Sequence, residues 1–93
     1  SNLPESMKLY DNYPNPFNPK TKIKFDITND VTSKVTLTIF DSNGKEISKL
    51  VDSILNPGTY EVEWDGSNFA SGSYFYKLES SGFTDTKTLI LLK

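Results

Sequence analysis

The sequence predicts an all-β chain, a small antiparallel sandwich with no substantial helix. Apolar residues recur at every second position in several stretches, and nowhere at helical spacing over a useful length. Turn-forming Gly, Asn, Asp and Ser separate those stretches at short intervals. The largest apolar side chains, Trp64, Tyr74 and Tyr76, fall in two alternating runs either side of a break containing Gly66 and Gly72. They supply the biggest pieces of apolar area available to a core.

Residues 1–20 read as irregular. Tyr13-Pro14-Asn15-Pro16-Phe17-Asn18-Pro19 sets a proline at every second or third position. Each proline removes a ladder donor and biases its predecessor toward extended geometry. The segment is therefore a stiff lead-in, with Tyr13 and Phe17 available to pin it and room for a strand. Residues 21–27 form a strand with Ile23, Phe25 and Ile27 inward, and residues 28–33, holding Asn29-Asp30, turn the chain. Val35, Leu37 and Ile39 make the inner face of the next strand. Asn43-Gly44 suits a two-residue type I′ hairpin turn. In residues 45–51, Ile47, Leu50 and Val51 cannot share a face without a bulge near Lys49.

Residues 52–58 loop to Pro57-Gly58. In residues 59–65, Tyr60, Val62 and Trp64 share one face, with Thr59, Glu61, Glu63 and Asp65 on the other. Beyond the break, Tyr74, Tyr76 and Leu78 alternate with Phe75, Lys77 and Glu79. These two strands are expected to be neighbours, joined by a connection too long for a two-residue hairpin. Residues 80–82 turn into the last strand, where Thr84, Thr86, Thr88, Ile90 and Leu92 lie on one face. Asp85, Lys87, Leu89, Leu91 and Lys93 lie on the other, and the charges at Asp85 and Lys87 predict that this face points outward. About seven strands with such turns describe an immunoglobulin-like β-sandwich. The Cys…Trp…Cys signature of antibody domains is absent.

Ninety-three residues make one domain. Residues 1–8 read as a linker or vector-derived leader and residues 9–93 as the domain itself; the whole reads as a fragment of a longer chain. A net charge of −2 with interspersed signs offers no basic stripe for nucleic acid. No apolar run approaches the roughly 20 residues of a membrane span, so no membrane insertion is expected. The chain has no His and no Cys. That excludes Ser-His-Asp and Cys-His catalysis and the usual zinc ligand sets. Glu61, Glu63 and Asp65 project about 6.5–7 Å apart along one strand. Without a cleft they read as a solvated face rather than an acid/base pair or calcium site. Asp41-x-Asn43-Gly44 lacks the further acidic positions and closing Glu of a calcium loop. The expectation is therefore no enzyme and no cofactor. Tyr10, Tyr13, Phe40, Phe69, Phe75 and Phe83 fall outside the main inward faces and leave room for one apolar patch.

Five stretches, in order, carry a resemblance. They are Asn12-Tyr13-Pro14-Asn15-Pro16-Phe17-Asn18-Pro19 leading into Thr21, Asp41-x-x-Gly44, Gly58-x-Tyr60, Ser71-Gly72-x-Tyr74-x-Tyr76-Lys77-Leu78, and Lys87-Thr88-Leu89-Ile90-Leu91-Leu92-Lys93. Together they resemble the type A C-terminal sorting domain of type IX secretion cargo, found in Bacteroidetes and relatives. Trp64-Asp65-Gly66-x-Asn68 with Ser71-Gly72-x-Tyr74 also resembles the Ig-like domain of flagellar hook-capping proteins. The first resemblance implies a non-enzymatic last module behind an upstream cargo domain. Such a module passes through the periplasm and is recognised by the type IX outer-membrane translocon. A cell-surface sortase then attaches the cargo to the surface, or the cargo is released outside the cell. Lys87-Thr88 departs from the consecutive basic residues that relatives often carry there.

An address of this kind needs a rigid, accessible surface. The expected partner-binding residues are Tyr13, Pro14, Asn15, Pro16 and Phe17 of the lead-in, with Lys87, Leu89, Leu91 and Lys93 of the last strand; the alternative is that the lead-in covers Leu89 and Leu91, which then serve packing alone. Edge-strand pairing is one mode open to them. The domain is expected to be a monomer. The competing readings are a hook-capping or fibronectin-like spacer and a carbohydrate-binding module using surface aromatics and the Glu61/Glu63/Asp65 face.

Overall fold

The period-two alternation of the sequence becomes seven strands in a computed structural model that describes residues 6–28, 34–80 and 82–93. They are β1 (Lys8–Leu9), β2 (Lys20–Ile27), β3 (Val35–Phe40), β4 (Glu46–Ser53), β5 (Gly58–Asp65), β6 (Gly72–Ser80) and β7 (Phe83–Leu91). Paired antiparallel, they form a three-stranded sheet, β1-β2-β5, and a four-stranded sheet, β4-β3-β6-β7. This is the small all-β sandwich expected. No helix among the described residues is long and apolar enough to cross a membrane. The turn expected at Asn29-Asp30 lies outside the described residues.

Between the sheets, Ile23, Phe25 and Ile27 of β2 face Val35, Leu37 and Ile39 of β3 and Tyr76 and Leu78 of β6, all fully buried. At one end Trp64 collects Phe17 at 5.7 Å, Phe69 at 5.5 Å and Tyr74 edge-on at 5.6 Å between ring centroids. Edge-on and tilted packings of this kind add to the area term.

Three expectations need correction. β5 and β6 are not hydrogen-bonded neighbours: β5 pairs β2, whereas β6 lies between β3 and β7. The stretch after Asp65 therefore carries the chain from one sheet to the other. It is held by Phe69 N–H donating to Gly66 O at 2.9 Å and Tyr74 O–H donating to Ala70 O at 2.5 Å. The Asn43-Gly44 hairpin is also wider than a two-residue turn. Gly44 N–H donates to Asp41 O, Asp41 N–H donates to Lys45 O, and Gly44 has φ of +85°. That is the pattern of a three-residue loop closing on a left-handed glycine. Asp41 Oδ1 accepts the Asn43 and Lys45 amides, which favours the longer loop. Finally, Leu89 and Leu91 point inward and have no exposed surface. The outward face of β7 carries Thr84, Thr86, Thr88 and Ile90.

The bulge expected near Lys49 is present. Leu37 faces Val51 and Thr38 faces Lys49, so Leu50 is skipped, and a second shift skips Ile47. The carboxylate ladder of β5 has a partner the sequence pattern did not assign: Asp65, Glu63 and Glu61 lie opposite Lys20, Lys22 and Lys24 of β2. The outer face of the three-stranded sheet is thus charge-matched, with Lys22 and Glu61 3.9 Å apart and both mostly solvated. Such pairs contribute little to stability.

Candidate functional site

The lead-in does not hang free of the sandwich. From β1 it continues along β2, with Tyr10 N–H donating to Lys24 O at 3.0 Å and Tyr13 exchanging both backbone bonds with Lys22. It then crosses to the other sheet. Phe17 N–H donates to Ile90 O and Leu92 N–H donates to Phe17 O, both at 2.9 Å, a parallel bridge centred on Leu91. Pro19 O accepts the Gly66 amide at 2.8 Å before β2 begins. The peptide bonds preceding Pro14, Pro16 and Pro19 are cis. Prolines suit this path, because a chain that alternates between two sheet edges cannot make a regular ladder with either.

Four side chains, Tyr76, Asn12, Thr21 and Asn15, fasten the crossing. Tyr76, fully buried, donates its O–H to Tyr10 O at 2.8 Å and accepts the Asn12 amide at 2.9 Å. Burial pushes its phenol up to about 12. The buried Asn12 donates its Nδ2 to Thr21 Oγ1 at 3.0 Å and to Pro14 O at 3.2 Å, while Thr21 Oγ1 donates to the same carbonyl. Asn15 behaves like a strand residue through its carboxamide: Oδ1 accepts the Ile90 amide at 3.0 Å, and Nδ2 approaches Thr88 O at 3.4 Å. Neighbouring charges add less. Lys87 Nζ lies 3.3 Å from Asp11 Oδ1, and Lys93 Nζ donates to Ser67 O at 2.6 Å. Tyr10 O–H donates to Asp26 at 2.6 Å, which raises the Tyr10 phenol. Ser67 hydroxyl and amide both donate to Asp65 and hold that carboxyl below the usual range.

The residues singled out by sequence separate into two groups. Tyr13 is 80% exposed, and Pro14, Asn15, Pro16 and Lys93 are exposed around it and at the chain end. Phe17, Leu89 and Leu91 are 2%, 0% and 0% exposed and belong to the core, while Lys87 is half-buried. The reversal at Leu89 and Leu91 has a physical cause. The inner face of β7 carries half-buried Phe83, Asp85 and Lys87 at its hairpin end and is fully buried at Leu89 and Leu91, at the end where the lead-in pairs with the strand through Phe17. Charge at one end of a strand face does not make the whole face external.

Sequence reasoning missed Ile90 (37% exposed), Leu92 (52% exposed), and the anchors Asn12, Tyr76 and Gly66. The alternation did place Ile90 and Leu92 together, but the charges on the other face outweighed it. Of the six aromatics set aside, Tyr13 alone is fully outward among the described residues. Phe69 packs on Trp64, Tyr10 sits between Lys8 and Lys24, and Phe40 pairs across the ladder with Phe75. Beside Tyr13 lies a depression of about 240 Å³ lined by Tyr13, Pro14, Lys20, Thr21, Lys22 and Glu63. Among the described residues no group of three or more His, Cys, Asp or Glu is placed to hold a metal ion.

Residues 11–92 match the family model described as the secretion system C-terminal sorting domain. The chain belongs to that family. The match begins at the lead-in and runs through β7, so the strap and the strand it fastens lie within the sorting domain. The family is one of type IX sorting signals, not of enzymes, and its members follow a cargo protein and imply export toward the cell surface or the extracellular space. The chain has no significant match among curated proteins or among solved structures.

Proposed function

We propose that the folded domain is recognised in the periplasm by the type IX translocon through the exposed rim of the lead-in and the end of β7. The translocon then carries the upstream cargo across the outer membrane. A cell-surface sortase afterwards anchors the cargo or leaves it released. The observation that carries this reading is the distribution of exposed apolar groups. Among the described residues four large hydrophobics stand out from the surface, Tyr13, Ile54, Ile90 and Leu92, and all but Ile54 lie on the lead-in or beside it. Tyr13 lies on the side of the three-stranded sheet, beside its depression, and Ile90 on the outer face of the other sheet. Exposed apolar groups on a rigid support are what a receptor can desolvate at low ordering cost.

The core residues Phe17, Leu89 and Leu91 take a positioning role, since a partner cannot touch them without opening the sandwich. Edge pairing is also restricted: from Ile90 to Leu92 the backbone edge is taken by Asn15 and Phe17. Near the chain end, recognition therefore goes through side chains.

The test uses a reporter protein fused ahead of the domain in a host with type IX secretion. Tyr13→Ala, Ile90→Ser and Leu92→Ser combined should lower export at least about tenfold with unchanged unfolding of the purified chain. Leu89→Ser should lose export and fold together. Export of the triple variant at the wild-type level would refute the surface assignment.

A further inference from the structure

The strap covers half of the outer edge of β7 and leaves the other half bare. Along an antiparallel strand, successive residues direct their backbone groups to opposite sides. Ile90 gives both N–H and C=O to the strap side, so Thr84, Thr86 and Thr88 point their backbone groups the same way. Among the described residues, only the Thr88 carbonyl of these meets a partner on that side, the weak contact from Asn15 at 3.4 Å. The bare edge is Thr84-Asp85-Thr86-Lys87-Thr88. It is bounded by the turn at Gly82 on one side and by Asn15 on the other.

That sequence reads as its own complement about Thr86. We propose that a second copy of this chain pairs antiparallel with this edge across a two-fold axis at Thr86, giving a weak homodimer with one continuous sheet through both copies. In that register Thr86 meets Thr86 of the second copy, and Thr84 meets its Thr88, so every pair uses outward-pointing backbone groups. On the inner face Asp85 falls opposite Lys87 of the second copy, and Lys87 opposite its Asp85. Opposite charges directly across a ladder are favourable, and like charges are unfavourable. Moving the axis by one residue toward either end sets Asp85 against Asp85, or Lys87 against Lys87. The charge pattern therefore selects one register out of those the backbone allows. Asp85 and Lys87 are only half-buried, so both remain within reach. Asp11, 3.3 Å from Lys87, is exposed and competes for it only weakly.

The competing explanation is that Asp85 and Lys87 are inward-pointing charges that keep the edge from pairing with anything. A five-residue edge buries well below the roughly 1,000 Å² of a stable specific interface. The dimer should accordingly appear at high protein concentration and vanish on dilution.

Charge exchange separates the two accounts. Asp85→Lys carries two lysines on the inner face of the edge, and Lys87→Asp carries two aspartates. Each variant alone should dimerise at least about tenfold more weakly than the 93-residue wild-type chain in sedimentation equilibrium. An equimolar mixture of the two should associate to within about threefold of wild type, as should the double exchange D85K/K87D. The Thr84, Thr86 and Thr88 amides of the wild type should gain hydrogen-exchange protection as concentration rises. Wild-type chain that stays monomeric up to about millimolar concentration, or a mixture no more associated than its components, would overturn the proposal. Circular dichroism of each variant guards the readout: a variant that loses the β signal is replaced by Asp85→Asn with Lys87→Gln, which should leave a weaker dimer without register preference.

Discussion

The two flanks of the sandwich are closed in opposite ways. On the β1/β7 flank the lead-in seals the gap, and Leu9, Phe17, Leu89 and Leu91 are at most 3% exposed. On the β4/β5 flank no equivalent strap is seen among the described residues, and Ile47, Leu50, Val51, Tyr60 and Val62 remain half-buried. β4 meets this by bulging twice, turning Ile47, Leu50 and Val51 toward the core despite their uneven spacing. One flank is made rigid by an added segment, the other by distortion of a strand. The rigid flank is also the one that presents Tyr13, Ile90 and Leu92. Order and exposure coincide there, which suits a surface meant to be read.

Substitutions that probe the two flanks should differ in size. Phe17→Ala should cost about 3–5 kcal/mol, the usual range for a fully buried aromatic. Leu50→Ala, on the open flank, should cost about 1 kcal/mol, since much of its side chain is already wet. Equal values in denaturant unfolding would erase the contrast. Gly66→Ala tests how closely the strap is packed. A Cβ there would sit 3.0 Å from Leu91 Cδ2 and 3.4 Å from Phe17 Cε2. Overpacking of that kind should cost about 1–3 kcal/mol, with the largest chemical-shift changes at Phe17 and Leu91.

Tyr76→Phe should cost about 1–2 kcal/mol, because the Asn12 amide and the Tyr10 carbonyl both lose their partner. It should also change the alkaline limb of stability. With the folded phenol at about 12 and the free one near 10, the unfolded chain ionises first. The contribution of Tyr76 is therefore whole below pH 10 and is lost as pH rises through 12. The Phe variant should show a shallower decline across that window in thermal melts, and an unchanged decline would deny Tyr76 its anchoring role. Smallest of all, Lys22→Ala should shift stability by less than about 0.5 kcal/mol, because the pair with Glu61 is long and solvated.

Much of this was legible in the chain. Inward sets such as Ile23/Phe25/Ile27 and Val35/Leu37/Ile39 follow from alternation alone, and the β4 bulge follows from a broken alternation. Sheet membership does not, because pairing β5 with β2 rather than β6 is decided by contacts far apart in sequence. The face of β7 was misread for a related reason. Both of its faces end in apolar residues, and nothing local says that Phe17 will cover Leu91 rather than Leu92. The lead-in showed its stiffness in its prolines, but two of its anchors, the Asn15 carboxamide and the Tyr76 hydroxyl, join groups more than 60 residues apart. The sequence treats Tyr13 and Phe17 alike, as possible pins and as partner-binding residues, and nothing in it tells that Phe17 is the buried one and Tyr13 the exposed one.

The account rests on the lead-in being a fixed part of the sandwich and not a tether. Native-state hydrogen exchange of the Phe17, Ile90 and Leu92 amides measures this directly, since each donates across the strap. Their protection should approach that of amides in the β2–β5 ladder and fall together with it on adding denaturant. Exchange of these three at the rate of an unstructured peptide, with the ladder still protected, would show a loose strap and contradict the account.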